Sequence, residues 1–331
     1  MESDKPIISI VLPVYNAGEY LRPCLDTLVN QTLKEIEIVC VLDCPTDGSD
    51  KVVEEYAAND SRIIIIRNEH NLHIGESRNV GMRVARGEYI GFSDHDDTRE
   101  LEMYERLYAA SNNGSCDMVM SGFFVVDNFG LRPDMANVRK KCLSRLIRRE
   151  GTAHITPHIY KKSFIDKNAM SFVDTKVCFG EDILFNMNAI SHLEADNDLG
   201  LLPEVFYHHL KTGNNTEGSL SYRSISKLSV FIHQAYDIVS RSEFGDTLIC
   251  EMGLLYLKMS YWLVKRETGK YFYIHPIALL HSMEKLKSEL LKDELCCDIV
   301  RKTSLKMVST PLKIAFALWL KHIARNRVVD C

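Results

Sequence analysis

The sequence lacks the features that mark membrane, secreted and disulfide-rich proteins. It has no uncharged apolar run of about 18 residues, so we expect no membrane-spanning helix. Its ten cysteines include no CxxC pair and show no regular spacing, which indicates reduced, mostly buried thiols. The polar, acidic start at residues 1–6 predicts no signal peptide. These absences together favour a cytoplasmic protein.

Basic clusters and glycine-rich loops are also missing. The formal net charge is -5, and no Lys/Arg block with interleaved aromatic residues is present, so we expect no nucleic-acid partner. Neither GxGxxG nor GxxxxGK[ST] occurs, which removes the two glycine-rich nucleotide signatures. A bound nucleotide would therefore have to be held by side chains and a metal ion. No pattern in the sequence predicts an oligomeric state.

The chain is long enough, at 331 residues, for one large α/β domain and a smaller appendage. Residues 1–120 alternate between strand and helix patterns, and helix-spaced residues such as Leu21, Leu25 and Leu28 lie between the strands. Strands are predicted at 7–14, 36–42, 63–66, 89–92, 118–121 and 201–207. This order indicates a parallel sheet with helices on both faces. We predict a catalytic domain at 1–221 and a helical region at 222–331.

Polar side chains follow each of the first four strands. The clusters are Pro13-Val14-Tyr15-Asn16, Asp43-Cys44-Pro45, Asn68-Glu69-His70-Asn71 and Asp94-His95-Asp96. Because the carboxyl ends of parallel strands meet at one edge of a sheet, we expect all four clusters on the same rim. In folds of this kind ligands bind at that rim.

The acids at residues 94–97 carry the strongest chemical signal. Carboxylates crowded at the end of a buried strand repel one another unless a cation compensates, and Mg²⁺ or Mn²⁺ prefers oxygen ligands together with substrate phosphates. The alternative is a solvated turn that caps a helix expected at 98–110. A haloacid-dehalogenase-like phosphatase is a second alternative, because the segment satisfies DxDxT, although three predicted strands precede it. A nucleotidyltransferase is a third, although it would want a basic, glycine-rich loop after the first strand.

Three further residues on the rim have a binding role and a structural alternative. Asp43 could accept the N3–H bond of a uracil ring, or it could cap the turn at residues 46–49. Tyr15 could lie against a base or belong to the core. Arg78 could contact phosphate or base, or it could pair with Glu76 or Glu88.

Taken together, these segments resemble family 2 glycosyltransferases. The matching elements occur in the family's order over residues 6–190. They are Ile8 to Asn16, Asn30-Gln31-Thr32, Thr46-Asp47-Gly48-Ser49, Asn71 to Gly75, Ser77 to Gly81, Gly87 to Ile90, Phe92 to Asp97 and Glu181-Asp182. No motif of the C-terminal third takes part in the resemblance.

The resemblance implies a fold and a reaction. It implies the GT-A fold, a mixed, mostly parallel sheet flanked by helices, with a helical C-terminal region here. It also implies a metal-dependent, inverting hexosyltransferase-type enzyme. The donor would be a nucleotide sugar, most often a UDP-sugar, and the cofactor Mn²⁺ or Mg²⁺. The acceptor would be a saccharide or lipid-linked saccharide in cell-surface polysaccharide or glycolipid synthesis.

The resemblance also implies roles for individual residues. Asp43 would bind uracil, Pro13 and Tyr15 would frame it, and Asp94 would lie near the ribose or sugar. Asp96 of the DXD motif would be the main metal ligand, with a further contact from His208 or His209. Asp182 would be the general base and Glu181 its competitor. The chain departs from the family at two places. Where the family usually has two acids followed by Gly-Ser, this chain has Leu42-Asp43-Cys44-Pro45, with a single acid. His95 replaces the small residue that the family usually has between the metal-site acids, and it could contact sugar or phosphate.

The segment at 311–321 is both basic and apolar. A helix of this composition can lie on a membrane surface or dock against anionic lipid. The alternative is a terminal helix that packs on the protein with its charges in solvent. Both readings stay open from the sequence.

Overall fold

The structure, a computed structural model, describes residues 5–122, 138–148, 154–208, 225–268, 276–303 and 311–325. These residues divide into two compact units. The first falls within Met1–Arg139, Gly151–Thr175 and Glu181–Asn215, and the second within Lys140–Glu150, Lys176–Gly180 and Thr216–Cys331. The sequence predicted one boundary at residue 221, which would place Lys140–Glu150 and Lys176–Gly180 in the first domain, whereas both stretches belong to the second unit.

The described residues contain nine strands and thirteen α-helices. The strands are β1 (Ile8–Val14), β2 (Ile36–Leu42), β3 (Ile63–Arg67), β4 (Tyr89–Phe92), β5 (Thr98–Arg99), β6 (Met118–Ser121), β7 (His158–Lys161), β8 (Leu199–Leu202) and β9 (Tyr207–His208). The helices are α1 (Leu21–Val29), α2 (Ser49–Asn59), α3 (His73–Val84), α4 (Met103–Ala110), α5 (Val138–Arg148), α6 (Lys162–Lys167), α7 (Glu181–His192), α8 (Leu228–Arg241), α9 (Gly245–Leu248), α10 (Met252–Thr268), α11 (Pro276–Lys292), α12 (Glu294–Lys302) and α13 (Pro311–Arg325).

Seven strands of the first unit form one sheet in the order β3-β2-β1-β4-β7-β6-β8. The four strands β3, β2, β1 and β4 run parallel, whereas β7 is antiparallel to both β4 and β6. Every residue of β1, β2 and β4 is buried, as expected of strands covered on both faces. The prediction of a mixed, mostly parallel sheet flanked by helices is therefore confirmed.

Helix α3 lies unusually close to the centre of this sheet. A Cβ atom at Gly81 would come within 2.3 Å of Val11 Cγ1 on β1, so a side chain at this position would push the helix away. The start of α3 lies beside the carboxyl end of β2, because the amides of Leu72 and His73 donate to Asp43.

Two of the predicted elements differ in the structure. The helix expected at 98–110 begins only at Met103, because Thr98 and Arg99 form β5 and pair with Tyr207–His208 of β9. The single strand expected at 201–207 corresponds to parts of two separate strands, β8 and β9. Leu199–Leu202 pairs with β6, and the chain leaves that sheet at Pro203, which has no backbone N–H for a ladder.

The second unit is helical, and α13 is part of its packing. Among the described side chains of α13, Ala317, Leu320, Ile323 and Ala324 are buried, whereas Leu318 is half exposed. This burial agrees with the reading of α13 as a packed terminal helix. In the described part of the chain, no helix combines the length and apolar character needed to cross a bilayer. Contact of α13 with a membrane surface stays a prediction.

Candidate functional site

The carboxyl ends of three neighbouring strands bring the predicted rim residues together. Val14 at the end of β1 is in register with Leu42 at the end of β2, and the Asp43 amide donates to the Val14 carbonyl at 2.9 Å. On the other side of β1, the Ser93 amide donates to the Val11 carbonyl at 3.0 Å. The residues that follow these strands therefore share one edge of the sheet, as predicted.

Asp43 is buried and holds the start of α3. Its carboxylate accepts hydrogen bonds from the backbone amides of Leu72 at 2.7 Å and His73 at 2.9 Å, and from Asn68 Nδ2 at 2.7 Å. The sequence suggested a cap for the turn at residues 46–49, but Asp47 performs that task by accepting from the amide and hydroxyl of Ser49. The contact between Asp43 and uracil stays a prediction.

Pro13 and Tyr15 differ in their exposure. Pro13 is buried in β1, beyond the last residue that pairs with β4, so its missing N–H leaves no gap in that ladder. Tyr15 is 47% exposed at the rim, and its ring is accessible to a ligand. The alternative reading of Tyr15 as a core residue is therefore wrong.

Arg78 connects the two groups of acids that the sequence singled out. Its side chain is only 1% exposed; Nη2 donates to Asp94 Oδ1 at 2.8 Å, and Nη1 donates to Asp182 Oδ1 at 2.7 Å. Nη1 also lies 3.3 Å from Glu181 Oε1. The predicted alternative of pairing with Glu76 is wrong, because Glu76 accepts from Arg83 on the solvent side of α3. One buried guanidinium thus joins α3, the end of β4 and the start of α7.

The charges in this arrangement stabilise one another. Burial by itself lowers the pKa of Arg78, whereas the three acids Asp182, Asp94 and Glu181 together raise it by more than burial lowers it. The net shift is therefore upward, and the guanidinium stays charged. Burial raises the pKa of Asp94, but the charge and hydrogen bond of Arg78, together with the charges of His154 and His95, outweigh it, so the net shift is downward. Both acids of α7 lie in its first turn, where the helix dipole also favours negative charge.

Asp96 and Asp97 occupy different environments in the same turn. Asp97 is fully buried, and its Oδ2 accepts from Tyr207 Oη at 2.8 Å; the same hydroxyl accepts from the Asp94 amide at 3.2 Å. Asp96 is partly buried, and its pKa is raised by burial and by the charges of Asp94 and Asp97, against a lowering by His95. The net result is a raised pKa, so ionisation of Asp96 is less favourable than that of a solvated aspartate.

A hard divalent cation fits the environment of Asp96. The donor atoms are carboxylate oxygens, which Mg²⁺ and Mn²⁺ prefer, and a bound cation would favour the ionised form of Asp96, whose pKa is raised mainly by burial. Among the described residues, the acids after β4 do not form a set of three ligand atoms within 4.8 Å of one another. Such ions are commonly held by one or two carboxylates, with substrate phosphates completing the coordination.

His208 lies on β9 and contacts a different acid. Its Nε2 is 2.7 Å from Glu100 Oε1, and both side chains are about half exposed. His209, the alternative ligand considered from the sequence, lies outside the described residues. Metal binding by either histidine stays a prediction.

Tyr207 and Asn68 are structural members of the site to which the sequence assigned no role. Tyr207 bridges Asp94 and Asp97, and Asn68 Nδ2 donates to both Asp43 and Ser77. Asn68 carried a usable signal, because it directly follows the third strand on the polar rim. Tyr207 carried none, since its position depends on the pairing of β5 with β9, which are separated by more than a hundred residues.

A cavity of about 190 Å³ opens beside the acids. It shares Tyr207 with them, and its lining includes His154, whose charge also lowers the pKa of Asp94. Thr156 lines the cavity as well; its side chain is buried, and its hydroxyl has no hydrogen-bond partner among the residues that the structure describes. Val205 and Phe206 form an apolar part of the cavity wall. The cavity therefore offers mixed polar and apolar contacts next to the acid cluster.

Comparison with known proteins matches the family described as glycosyl transferase family 2 over residues 9–193. An uncharacterized glycosyltransferase of Bacillus subtilis, EpsJ, is 30% identical over 220 residues, which cover 63% of this chain and 62% of that protein. The poly(ribitol-phosphate) beta-glucosyltransferase of Bacillus spizizenii is 30% identical over 226 residues, which cover 65% and 34%. The chain thus spans less than two thirds of the length of either relative.

The fold is shared with a solved structure. S. aureus TarS 1-349, crystallised in complex with UDP-GlcNAc, matches with a TM-score of 0.70 and 20% sequence identity, over 97% of this chain and 89% of that one. A likeness at this level of identity concerns the fold. The mixed sheet with flanking helices is accordingly of the GT-A type.

Proposed function

This chain belongs to glycosyltransferase family 2, and we propose that it transfers a sugar from a UDP-sugar to a hydroxyl group of a saccharide or lipid-linked saccharide acceptor. The observation that carries the proposal is the buried Arg78, which joins the acid after β4 to the acids that begin α7. The UDP-GlcNAc complex of TarS supports the donor class. The Bacillus spizizenii relative, a poly(ribitol-phosphate) beta-glucosyltransferase, supports a polymeric acceptor, and we propose that the product belongs to a cell-surface polysaccharide or glycolipid.

Family membership also favours this reaction over the two alternatives. A haloacid-dehalogenase-like phosphatase would place its first Asp after the first strand, whereas Asp94 follows the fourth strand of the chain. A nucleotidyltransferase would need a basic, glycine-rich loop after β1, where this chain has Tyr15-Asn16-Ala17. The transferase reading needs neither feature.

The donor would lie along the rim of the sheet. The exposed ring of Tyr15 would lie against the base, with Pro13 shaping the floor below it. Asp43 would accept the N3–H of uracil, in addition to the two amides that keep its carboxylate in place. Asp94 and His95 would contact the ribose, sugar or phosphate. These roles rest on the position of each residue at the end of β1, β2 or β4.

Asp96 would hold Mn²⁺ or Mg²⁺, with His208 as a candidate for a further contact. The position of Asp96 after β4 and its raised pKa support this assignment, because a bound cation favours the ionised carboxylate. The ion would supply positive charge to the diphosphate as it leaves. The acids on either side have other partners: Asp94 pairs with Arg78, and Asp97 accepts from Tyr207.

Asp182 would take the proton from the acceptor hydroxyl. Its side chain is 19% exposed against 9% for Glu181, and it is therefore the more accessible acid of the pair. A base within hydrogen-bond reach of the acceptor allows direct attack on the anomeric carbon from the face opposite the leaving group. A single displacement of this kind inverts the anomeric centre. Glu181 would remain a contact for the acceptor or a structural partner of Arg78.

Arg78 would act as a positioning residue for this reaction. Because its Nη atoms already serve Asp94, Asp182 and Glu181, its main task would be to keep these acids ionised and correctly placed. The cavity that shares Tyr207 with the acid cluster would receive part of the acceptor or of the transferred sugar. The hydroxyl of Thr156, which lines this cavity and has no hydrogen-bond partner among the described residues, would then donate to a sugar oxygen.

A thermal-shift screen tests the proposed function. We expect UDP and at least one UDP-sugar to raise the Tm, and we expect Mn²⁺ to enlarge that rise, because a ligand that binds only the folded state stabilises it. GDP serves as the matched control, since guanine lacks the uracil edge that Asp43 would recognise. Equal stabilisation by GDP and UDP would contradict the proposed contact between Asp43 and uracil. If no nucleotide sugar stabilises the protein, the proposed function is wrong.

The metal assignment predicts a specific effect of Asp96→Asn. We expect UDP affinity measured by calorimetry in Mn²⁺ to fall at least tenfold, and the remaining affinity to be the same with and without the ion. Because burial and neighbouring acids raise the pKa of Asp96, its charged form opposes folding at neutral pH, and the variant should be at least as stable as the wild type. Glu102→Gln, at an exposed acid nearby, is the control and should change neither quantity. Metal-dependent UDP binding that survives in Asp96→Asn would contradict the assignment.

A further inference from the structure

Three potential metal ligands converge in the second unit, between α8 and the start of α12. His233 lies on α8, Asp293 directly precedes α12, and Cys296 lies in its first turn. One ligand atom from each of the three lies within 4.8 Å of the other two. In particular, His233 Nε2 is 2.9 Å from Asp293 Oδ2 and 3.0 Å from Oδ1.

Helix capping explains only part of this cluster. Asp293 caps α12 by accepting from the Cys296 amide at 3.0 Å, and this task requires neither an imidazole nor a thiol. Ser229 Oγ donates to Asp293 Oδ2 and so orients the carboxylate from α8. Outer hydrogen bonds of this type fix the ligands of protein metal sites. The histidine and the thiol therefore need a separate explanation.

The donor set and its burial suit one class of ion. Imidazole nitrogen, carboxylate oxygen and thiolate sulfur together favour Zn²⁺ over the hard ions Mg²⁺ and Mn²⁺. With bond lengths of about 2.0–2.3 Å, two ligands of a tetrahedral Zn²⁺ lie about 3.3–3.8 Å apart, so His233 Nε2 and Asp293 Oδ2, which are 2.9 Å apart, need to separate only slightly. Cys296 is buried, whereas the His233 side chain is 50% exposed, which leaves the cluster accessible from solvent on the histidine side.

We propose that His233, Asp293 and Cys296 bind one Zn²⁺, with a water molecule as the fourth ligand. Binding would release the thiol proton of Cys296 to solvent. It would also require the proton on His233 Nε2, which faces Asp293, to leave for Nδ1 or for solvent, so that the Nε2 lone pair can bind the ion. Since the ligands come from α8 and from the start of α12, the ion would tie these two elements of the second unit together. The proposal does not depend on the transferase assignment, because none of these residues belongs to the donor site.

Cobalt substitution tests the site directly on the full-length chain. After removal of bound metal, Co²⁺ is added in the absence of nucleotide. We expect one equivalent to produce a near-ultraviolet sulfur-to-cobalt charge-transfer band, which one equivalent of Zn²⁺ abolishes. Cobalt held by carboxylates at Asp96 would give no such band, so the two sites are distinguishable. Zn²⁺ alone should raise the Tm by several degrees.

Matched variants identify the ligands. Cys296→Ser should lose the band, and His233→Gln should weaken Zn²⁺ binding at least tenfold. Cys297→Ser and His281→Gln are the controls and should keep both properties, because the Cys297 thiol donates to the Leu290 carbonyl and His281 is an exposed residue of α11. Circular dichroism establishes that each variant is folded, and if Cys296→Ser is not, His233→Gln decides the question. The proposal is wrong if the wild type gives no band, if the band survives in Cys296→Ser, or if His233→Gln binds Zn²⁺ like the wild type.

Discussion

Arg78→Met is expected to lower the free energy of unfolding by about 3–5 kcal/mol, because it leaves buried acids without their cation. The wild-type guanidinium is 1% exposed and contacts Asp94, Asp182 and Glu181. Methionine keeps much of the volume of the side chain but none of its charge. Urea unfolding at neutral pH, followed by circular dichroism, measures the loss. Sugar transfer should fall with it, since two of the three acids have proposed roles in the reaction.

The neighbouring Arg83 provides a matched control on the same helix. Arg83 pairs with Glu76, and 62% of the Arg83 side chain and 38% of the Glu76 side chain are exposed. Arg83→Met should therefore lower the free energy of unfolding by only about 0–1 kcal/mol. Equal stability of the two variants would contradict the three-acid arrangement. Arg78→Lys should give an intermediate loss, because one ammonium group keeps the charge but cannot reproduce the fork of a guanidinium.

The pH dependence of the Arg78→Met effect follows from the direction of the Asp94 shift. Arg78 lowers the pKa of Asp94 in the folded state, so the pair contributes stability above the unfolded carboxyl pKa of about 3.9 and loses it as the pH falls further. In the variant, burial still raises the pKa of Asp94 while only the charges of His154 and His95 lower it, and protonation at low pH relieves the cost. The difference between wild type and variant should therefore be largest near neutral pH and should shrink towards about pH 4. A difference that grows on acidification would contradict the pairing.

Asp182→Asn is expected to reduce sugar transfer by at least about a hundredfold, while UDP affinity stays within a few fold of the wild type. Asparagine can still accept the hydrogen bond from Arg78 Nη1 through its amide oxygen, but it cannot take a proton from the acceptor. Release of UDP from the donor that the thermal-shift screen identifies measures turnover, and calorimetry measures binding. A fall in turnover without a fall in affinity separates loss of the base from loss of the binding site.

Glu181→Gln is the control for the adjacent acid. Glu181 is more deeply buried and more distant from Arg78 Nη1, at 3.3 Å against 2.7 Å for Asp182, so its replacement should reduce transfer much less. If Glu181→Gln abolishes transfer and Asp182→Asn does not, the two roles are reversed. Wild-type transfer in both variants would refute a carboxylate base at the start of α7.

The central strands were readable from the sequence because each is a short apolar run with no competing helical period. The predictions at 36–42, 89–92 and 118–121 coincide with β2, β4 and β6. Strand β7 was missed, because the residues of His158–Lys161 are half polar and the strand pairs with partners far away in the chain. The short strand β5 was missed for the same reason, and Thr98 and Arg99 were assigned to a helix, whereas β8 and β9 were predicted as one strand at 201–207.

The sequence by itself determined that the polar clusters share one rim, because parallel strands joined by helices must bring their carboxyl ends to the same edge. It did not determine which charges meet there. Arg78 pairs with Asp94, which is 16 residues away, and with Asp182, which is 104 residues away. The second pairing exists only because α7 begins beside the end of β4 and the first turns of α3. No local period encodes such a contact, since it depends on the packing of elements that are distant in the chain.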